Sequence, residues 1–193
     1  MSSLGRPRDA SRDVAILDAT LALLTENGYE QLSMEAVAAR SGVAKTTIYR
    51  RYRDKAALAA AAVEHRSPAS PPELPGGDLR EDLVALVTWL ARQIAEQEIG
   101  LLGALFAGMR GDPGLAGEMR RILRRDAAAM TGRLPRLASA GLFAEVAPAV
   151  IVHRVVFVGE PCDERFVEHL VDDILLPLLR GPSDNPAGKG KPS

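Results

Sequence analysis

Apolar residues recur along this chain at helical intervals from near one end to the other, and nowhere in the strict alternation of a half-buried strand. From about Ala10 to Asn27, Leu17, Leu21 and Leu24 fall at i, i+4 and i+7, and Ile16 and Leu23 widen the stripe. This is an amphipathic helix, with Gly28 as a natural stop just beyond it. Behind Ser33, a good N-cap, Met34, Val37 and Ala38 repeat the spacing; Ser41-Gly42 interrupts it. A second short helix begins near Ala44, with Val43, Ile48 and Tyr52 facing inward, and Asp54 caps the chain's fourth helix, which runs to about His65.

Ser67 to Gly77 is rich in Pro, Gly and Ser and marks a boundary. Beyond it, Asp78 and Glu81 resemble a capping box ahead of Leu79, Leu83, Leu86, Val87, Leu90 and Ile94. A helix over about Leu101 to Arg110 follows, and Asp112-Pro113 opens another that reaches about Arg133. Two more, about Val146 to Val158 and Asp163 to Leu179, close the chain. The first of these is apolar nearly all round, so it needs cover on more than one side. The expected class is all-α: a three-helix helix-turn-helix head over residues 10–66 and a larger helical domain over 78–180. Residues 1–9 are expected to be a flexible arm, 67–77 a linker and 181–193 a disordered tail.

The pair of short helices leaves Lys45, Thr46, Thr47, Tyr49 and Arg50 facing outward. From Arg40 to Lys55 there are six cations, Arg40, Lys45, Arg50, Arg51, Arg53 and Lys55, against one interior acid, Asp54, with Glu35 left upstream. A solvated face explains many such runs, but this one coincides with a helix-turn-helix pattern, which points to double-stranded DNA. Lys45 can reach a guanine or a phosphate, and the threonines offer hydroxyls and methyls to base edges. Lys55 stands in a first helical turn, where a cation opposes the helix dipole by about 0.3 to 1 kcal/mol; an anion docked there would explain it. Arg6 and Arg8 flank Pro7 in the expected arm, where minor-groove contact and a solvated tail are both open readings.

Composition narrows the rest. With 193 residues, 47% of them hydrophobic, the chain can bury a real core. The net charge of -1 is unevenly distributed: residues 1–66 hold ten Lys or Arg against eight Asp or Glu, so only the front is locally basic. A single cysteine, Cys162, suits a reducing compartment. Without a signal-like start or an uninterrupted apolar run near 18 residues, the expectation is a cytoplasmic protein with no membrane partner. His169 and Asp173 share a helical face, with His153, Glu160 and Cys162 nearby in sequence. Their spacing matches no metal signature, and no phosphate loop or nucleophile elbow occurs, so neither an enzyme, a metal nor a cofactor is expected.

Ile16-Leu17, Gly28-Tyr29, Ser33 to Ala38, Ser41 to Tyr49, Tyr52 and Lys55 to Leu58 together resemble the N-terminal DNA-binding domain of the TetR family of transcriptional regulators. Arg51-Tyr52 replaces the usual His-Phe of that pattern. The resemblance implies backbone contacts by Ser33, Tyr49 and Lys55, and a DNA-facing set completed by Ala44, Lys45, Thr46, Thr47, Arg50 and Arg51. For Tyr49, a packing role is the alternative.

The same resemblance implies a homodimer whose last two helices pair across a two-fold axis. Val150, Arg154, Phe157, Phe166, His169, Leu170, Asp173 and Ile174 are the candidate contacts. It also implies an effector cavity, for which Trp89, Leu102, Phe106, Met109, Met119, Leu123, Asp126 and Met130 are candidates, although core is the simpler reading of each apolar one. Asp126 could select a cationic ligand or pair with a neighbouring Arg. The expected function is a repressor of a palindromic operator released by a small molecule; a ligand-independent architectural binder or an activator is the alternative.

Overall fold

The computed structural model describes residues 6–66, 70–74, 76–96, 99–134 and 140–180, without the side chains of residues 6–9 and 99. The expected tail, residues 181–193, lies outside them, as do the first five residues of the expected arm. Helices α1 (Arg6–Gln31), α2 (Met34–Ser41), α3 (Lys45–Arg51), α4 (Lys55–Arg66), α5 (Leu79–Ala95), α6 (Ile99–Gly111) and α7 (Pro113–Thr131) follow in chain order. Then come α8 (Ala140–Val152), which continues as a π-helix over His153–Val158, and α9 (Glu164–His169), whose own π-helical continuation, Leu170–Leu175, leads into α10 (Leu176–Arg180). No strand occurs among the described residues.

The chain divides into two compact units: one takes Met1–Ala69 together with Gln97–Arg125, the other Ser70–Glu96 and Asp126–Ser193. In the first, Ile16, Leu24, Tyr29, Val37, Ile48 and Leu58 share a core with Leu101, Leu105, Leu115, Met119 and Ile122. The expected head of residues 10–66 is therefore joined by α6 and most of α7. Periodicity marks a buried face on each helix but does not say which other helix covers it.

Several contacts hold that unit. Gly28 interrupts α1 with φ 77° and ψ 171°, a conformation essentially confined to glycine, and so turns Tyr29 into the core. Residues 6–9, expected as an extended arm, are instead wound into the first turns of α1, where Pro7 is tolerated because a first-turn N–H has no helical partner. Tyr29 lies so close to α6 that a Cβ on Gly108 would stand 2.7 Å from its Cβ, Cγ and Cδ1 atoms. Its hydroxyl donates to Asp112 Oδ2 at 2.6 Å, while Asp112 Oδ1 accepts from the Gly114 and Leu115 amides and caps α7. These bonds hold the Asp112 carboxyl below its usual range, chiefly through the Tyr29 hydroxyl. Arg121 donates to both Glu64 oxygens at 3.1 and 3.0 Å and ties α7 to α4; Arg125 pairs with the same carboxylate.

In the second unit, Leu83, Leu86 and Val87 of α5 meet Phe143, Ala147 and Ile151 of α8 and Val167, Leu170, Val171 and Leu175 of the last helices. Asp78 caps α5 through the Arg80 amide, as its position predicts, and Arg80 forks onto Asp172 with two bonds of 2.7 Å. Ala140–Val158 is long and apolar enough, at mean hydropathy 1.7, to meet the length and composition of a membrane span. Its apolar character is interrupted by Glu145, His153 and Arg154, and Phe143, Ala147 and Ile151 lie within the unit's core.

Candidate nucleic-acid interface

Ser33 caps α2 by accepting the Ala36 amide at 3.1 Å, and that bond leaves its hydroxyl hydrogen free to donate elsewhere. Gly42 then adopts φ 68°, returning its N–H to the Ala38 carbonyl and ending α2. Val43 and Ile48 are buried and Tyr52 is half-buried, as their spacing predicts; together they seat α3 on the head's core. Seating by Ile48 fixes the opposite surface: Lys45, Thr46, Tyr49 and Arg50 are exposed, as is Ala44, whereas Thr47 is half-buried. Tyr49, at 47% exposure, is not a core residue.

The cations are largely engaged within the chain, through acids that sequence reasoning did not connect to them. Arg40 forks onto Glu26 at 2.5 and 2.6 Å, Arg51 pairs with Asp13, and Arg53 reaches Asp54 at 3.0 Å and Glu118 at 2.8 Å. Lys45 pairs with Glu35, which also accepts the Tyr49 hydroxyl at 3.4 Å. Hydrogen bonding from Lys45 holds the Glu35 carboxyl below its usual range, and Glu35 in return holds the Lys45 ammonium above its own. Among the described residues, the Arg50 side chain makes no ion pair or hydrogen bond.

Those partners lie ten or more positions away across turns or on other helices. Only the loop acid Asp54 stands beside its cation. No i, i+4 pattern would have disclosed the rest.

Lys55 also has an internal setting. Its ammonium bonds to the Tyr29 carbonyl at 3.4 Å and stands 4.4 Å from the centre of the Tyr29 ring, so its place at the start of α4 is accounted for without a docked anion. It remains only half-buried. For Arg6 and Arg8 the helical backbone is described but the side chains are not.

The remaining candidates are divided between the units. In the first, Met119 is core, Leu102 and Met109 are half-buried, and Phe106 and Leu123 are 54% and 61% exposed. In the second, Met130 is buried and Trp89 and Asp126 are half-buried.

Of the candidate dimer contacts, Leu170 is committed to its own unit's core, and Val150, Arg154 and Phe166 are half-buried. Arg154 lies 4.3 Å from the Phe166 ring centre and donates to the Pro161 carbonyl at 2.8 Å. Phe157 is 77% exposed and stacks on His153, while Ile174 and the contacting side chains of His169 and Asp173 also face solvent.

Residues 16–62 match the family profile described as bacterial regulatory proteins, tetR family, and residues 74–174 match that of the tetracyclin repressor-like C-terminal domain. Over 184 residues the chain is 34% identical to the DNA-binding transcriptional repressor TetR of Mycobacteroides abscessus, with 90% of this chain and 96% of that one covered. Salmonella enterica GusR has the same fold at a TM-score of 0.69 and 18% identity, covering 93% of this chain and 100% of its own. The multidrug binding protein EbrR, solved with imidazole, also reaches 0.69 at 18% identity, over 95% of this chain and 100% of its own.

Proposed function

The chain belongs to the tetR family of bacterial regulatory proteins and is a DNA-binding transcriptional regulator, not an enzyme; from that premise we propose that it is a cytoplasmic homodimeric repressor of a palindromic operator. The observation that carries the proposal is the exposed face of α3, where Lys45, Thr46, Tyr49 and Arg50 stand clear of a core gripped by Ile48. A helix seated this way can enter a major groove, with Ser33, Thr47, Arg51 and Lys55 placed for the flanking backbone. Two such heads about 34 to 36 Å apart would read successive major grooves. The exposed Phe157, Val158 and Ile174 are the apolar surface that a second copy would cover. A small molecule in the C-terminal domain releases the operator only if it binds the non-fitting state more tightly than the fitting one.

The test is selection of duplexes by the purified full chain from a random pool, followed by titration. Two half-sites one helical turn apart should emerge, and Thr46→Ala should change the selected bases. Lys55→Ala should weaken all duplexes alike and reduce the salt slope. Absence of any preferred sequence, or a Lys55→Ala slope equal to that of the parent chain, would refute the respective assignment.

A further inference from the structure

The reading face is less cationic than its composition suggests. Glu35, in the first turn of α2, holds Lys45 by an ion pair and accepts the Tyr49 hydroxyl, and Lys45 itself stands 5.6 Å from the centre of the Tyr49 ring. Lys45 and Tyr49 lie one turn apart on α3, so one carboxylate occupies both polar ends of that surface. The Glu35 and Lys45 side chains are 54% and 52% exposed, which leaves the pair open to a nucleic acid as well as to water.

We propose that Glu35 is a specificity-determining residue: with Lys45 it forms a neutral pair that suppresses attraction to phosphate and separates only over a G·C base pair. This rests on α3 being the reading helix. The argument is one of exchange. A phosphate that takes Lys45 from Glu35 replaces one ion pair by another, and leaves a carboxylate beside the DNA backbone with no partner. Little is gained, so Lys45 contributes almost nothing to binding arbitrary sequence.

A G·C pair offers both groups a partner in the major groove. Guanine O6 and N7 accept from Lys45, and the cytosine N4 amino group donates to Glu35. The Tyr49 hydroxyl released at the same time is free for the backbone. The pair thus discriminates by what it withholds from other sequences, a form of specificity through an unfavourable alternative. Opening it is not prohibitive, because exposed ion pairs correspond to at most about a fivefold factor in an equilibrium constant.

The experiment is a double-mutant cycle of Glu35→Gln and Lys45→Ala, titrated against the selected operator and a random duplex over a range of salt. Glu35→Gln alone should tighten the random duplex by about threefold to fivefold and make its log-log salt slope more negative by about 0.9 per subunit, one added phosphate contact. Operator affinity should not rise, so the ratio of operator to random binding falls, and preference at one G·C pair relaxes. In the Lys45→Ala background the gain on random duplex should shrink to the part owed to charge repulsion alone.

A gain of the same size with or without Lys45 would reduce Glu35 to a simple repulsive charge and overturn the proposal. So would equal tightening on both duplexes, or no change on either. If the parent chain binds no duplex in selective fashion, the reading of α3 itself fails and this inference with it. Thermal melting of each variant separates these outcomes from loss of fold.

Discussion

Two glycines of α6 provide an opposed pair of substitutions. A Cβ on Gly103 would meet nothing within 4 Å, whereas one on Gly108 would meet three Tyr29 atoms at 2.7 Å. Ordinary contact begins at 3.4 Å, so α6 would have to withdraw from α1 by 0.7 Å (3.4 less 2.7). Tyr29 Cβ is fixed to the backbone and cannot swing aside. Replacing glycine by alanine inside a helix gains about 1 kcal/mol at either site. Overpacking at Gly108 costs about 1 to 3 kcal/mol, and that difference remains when the shared helical gain cancels.

For a chain of this size 1 kcal/mol shifts the melting temperature by about 2 to 4 °C. Gly108→Ala should therefore melt about 2 to 12 °C below Gly103→Ala, by calorimetry, with Gly103→Ala at or above the parent chain. If Gly108→Ala melted level with Gly103→Ala or higher, the close packing of α6 on Tyr29 would be wrong.

Gly28→Ala meets no atom within 4 Å yet places a side chain in a backbone region reserved for glycine, so it should lose about 1 to 3 kcal/mol in urea denaturation. An unchanged midpoint would show that the chain passes that point in another conformation. Asp112→Asn keeps an N-cap for α7 but loses the charge that accepts the Tyr29 hydroxyl. Because the folded carboxyl titrates below its unfolded value of about 3.9, its contribution is complete above that pH and is lost as pH falls through the folded value. The parent chain should thus be the more stable of the two near neutrality, and the difference should close only in acid below about pH 4. A difference that persisted unchanged into strong acid would rule out the charged bond. Phe157→Glu should yield monomers by light scattering where the parent chain is dimeric, and an undisturbed dimer would remove that face from the interface.

Local chemistry made much of the head legible. Ser33, Gly42 and Asp54 announce their turns because capping and positive φ depend on the residue itself, and Ile48 announces its burial by spacing. Partners separated by tens of positions are of another kind. Nothing around Tyr29 indicates that its hydroxyl meets Asp112, and nothing around Arg121 indicates Glu64, because both meetings depend on how helices cross. Leu170 shows the same limit in the second unit: its stripe marks an apolar face, but not whether the covering atoms come from its own chain or from another. The start of α1 is hidden for a related reason, since Pro7 is compatible with an extended arm and with a first helical turn alike.

The head's core draws on α6 and α7, so the part of this protein that could be transplanted is discontinuous. A chimera joined at the Ser67–Gly77 connection would carry Tyr29 to its new host without Gly108 or Asp112, and Glu64 without Arg121. Its grafted helices would meet whatever the host supplies at those positions. Exchange of reading heads within the family is thus a problem of matching two interlocking surfaces, and the donor segment must include residues 99–125 to preserve its fit.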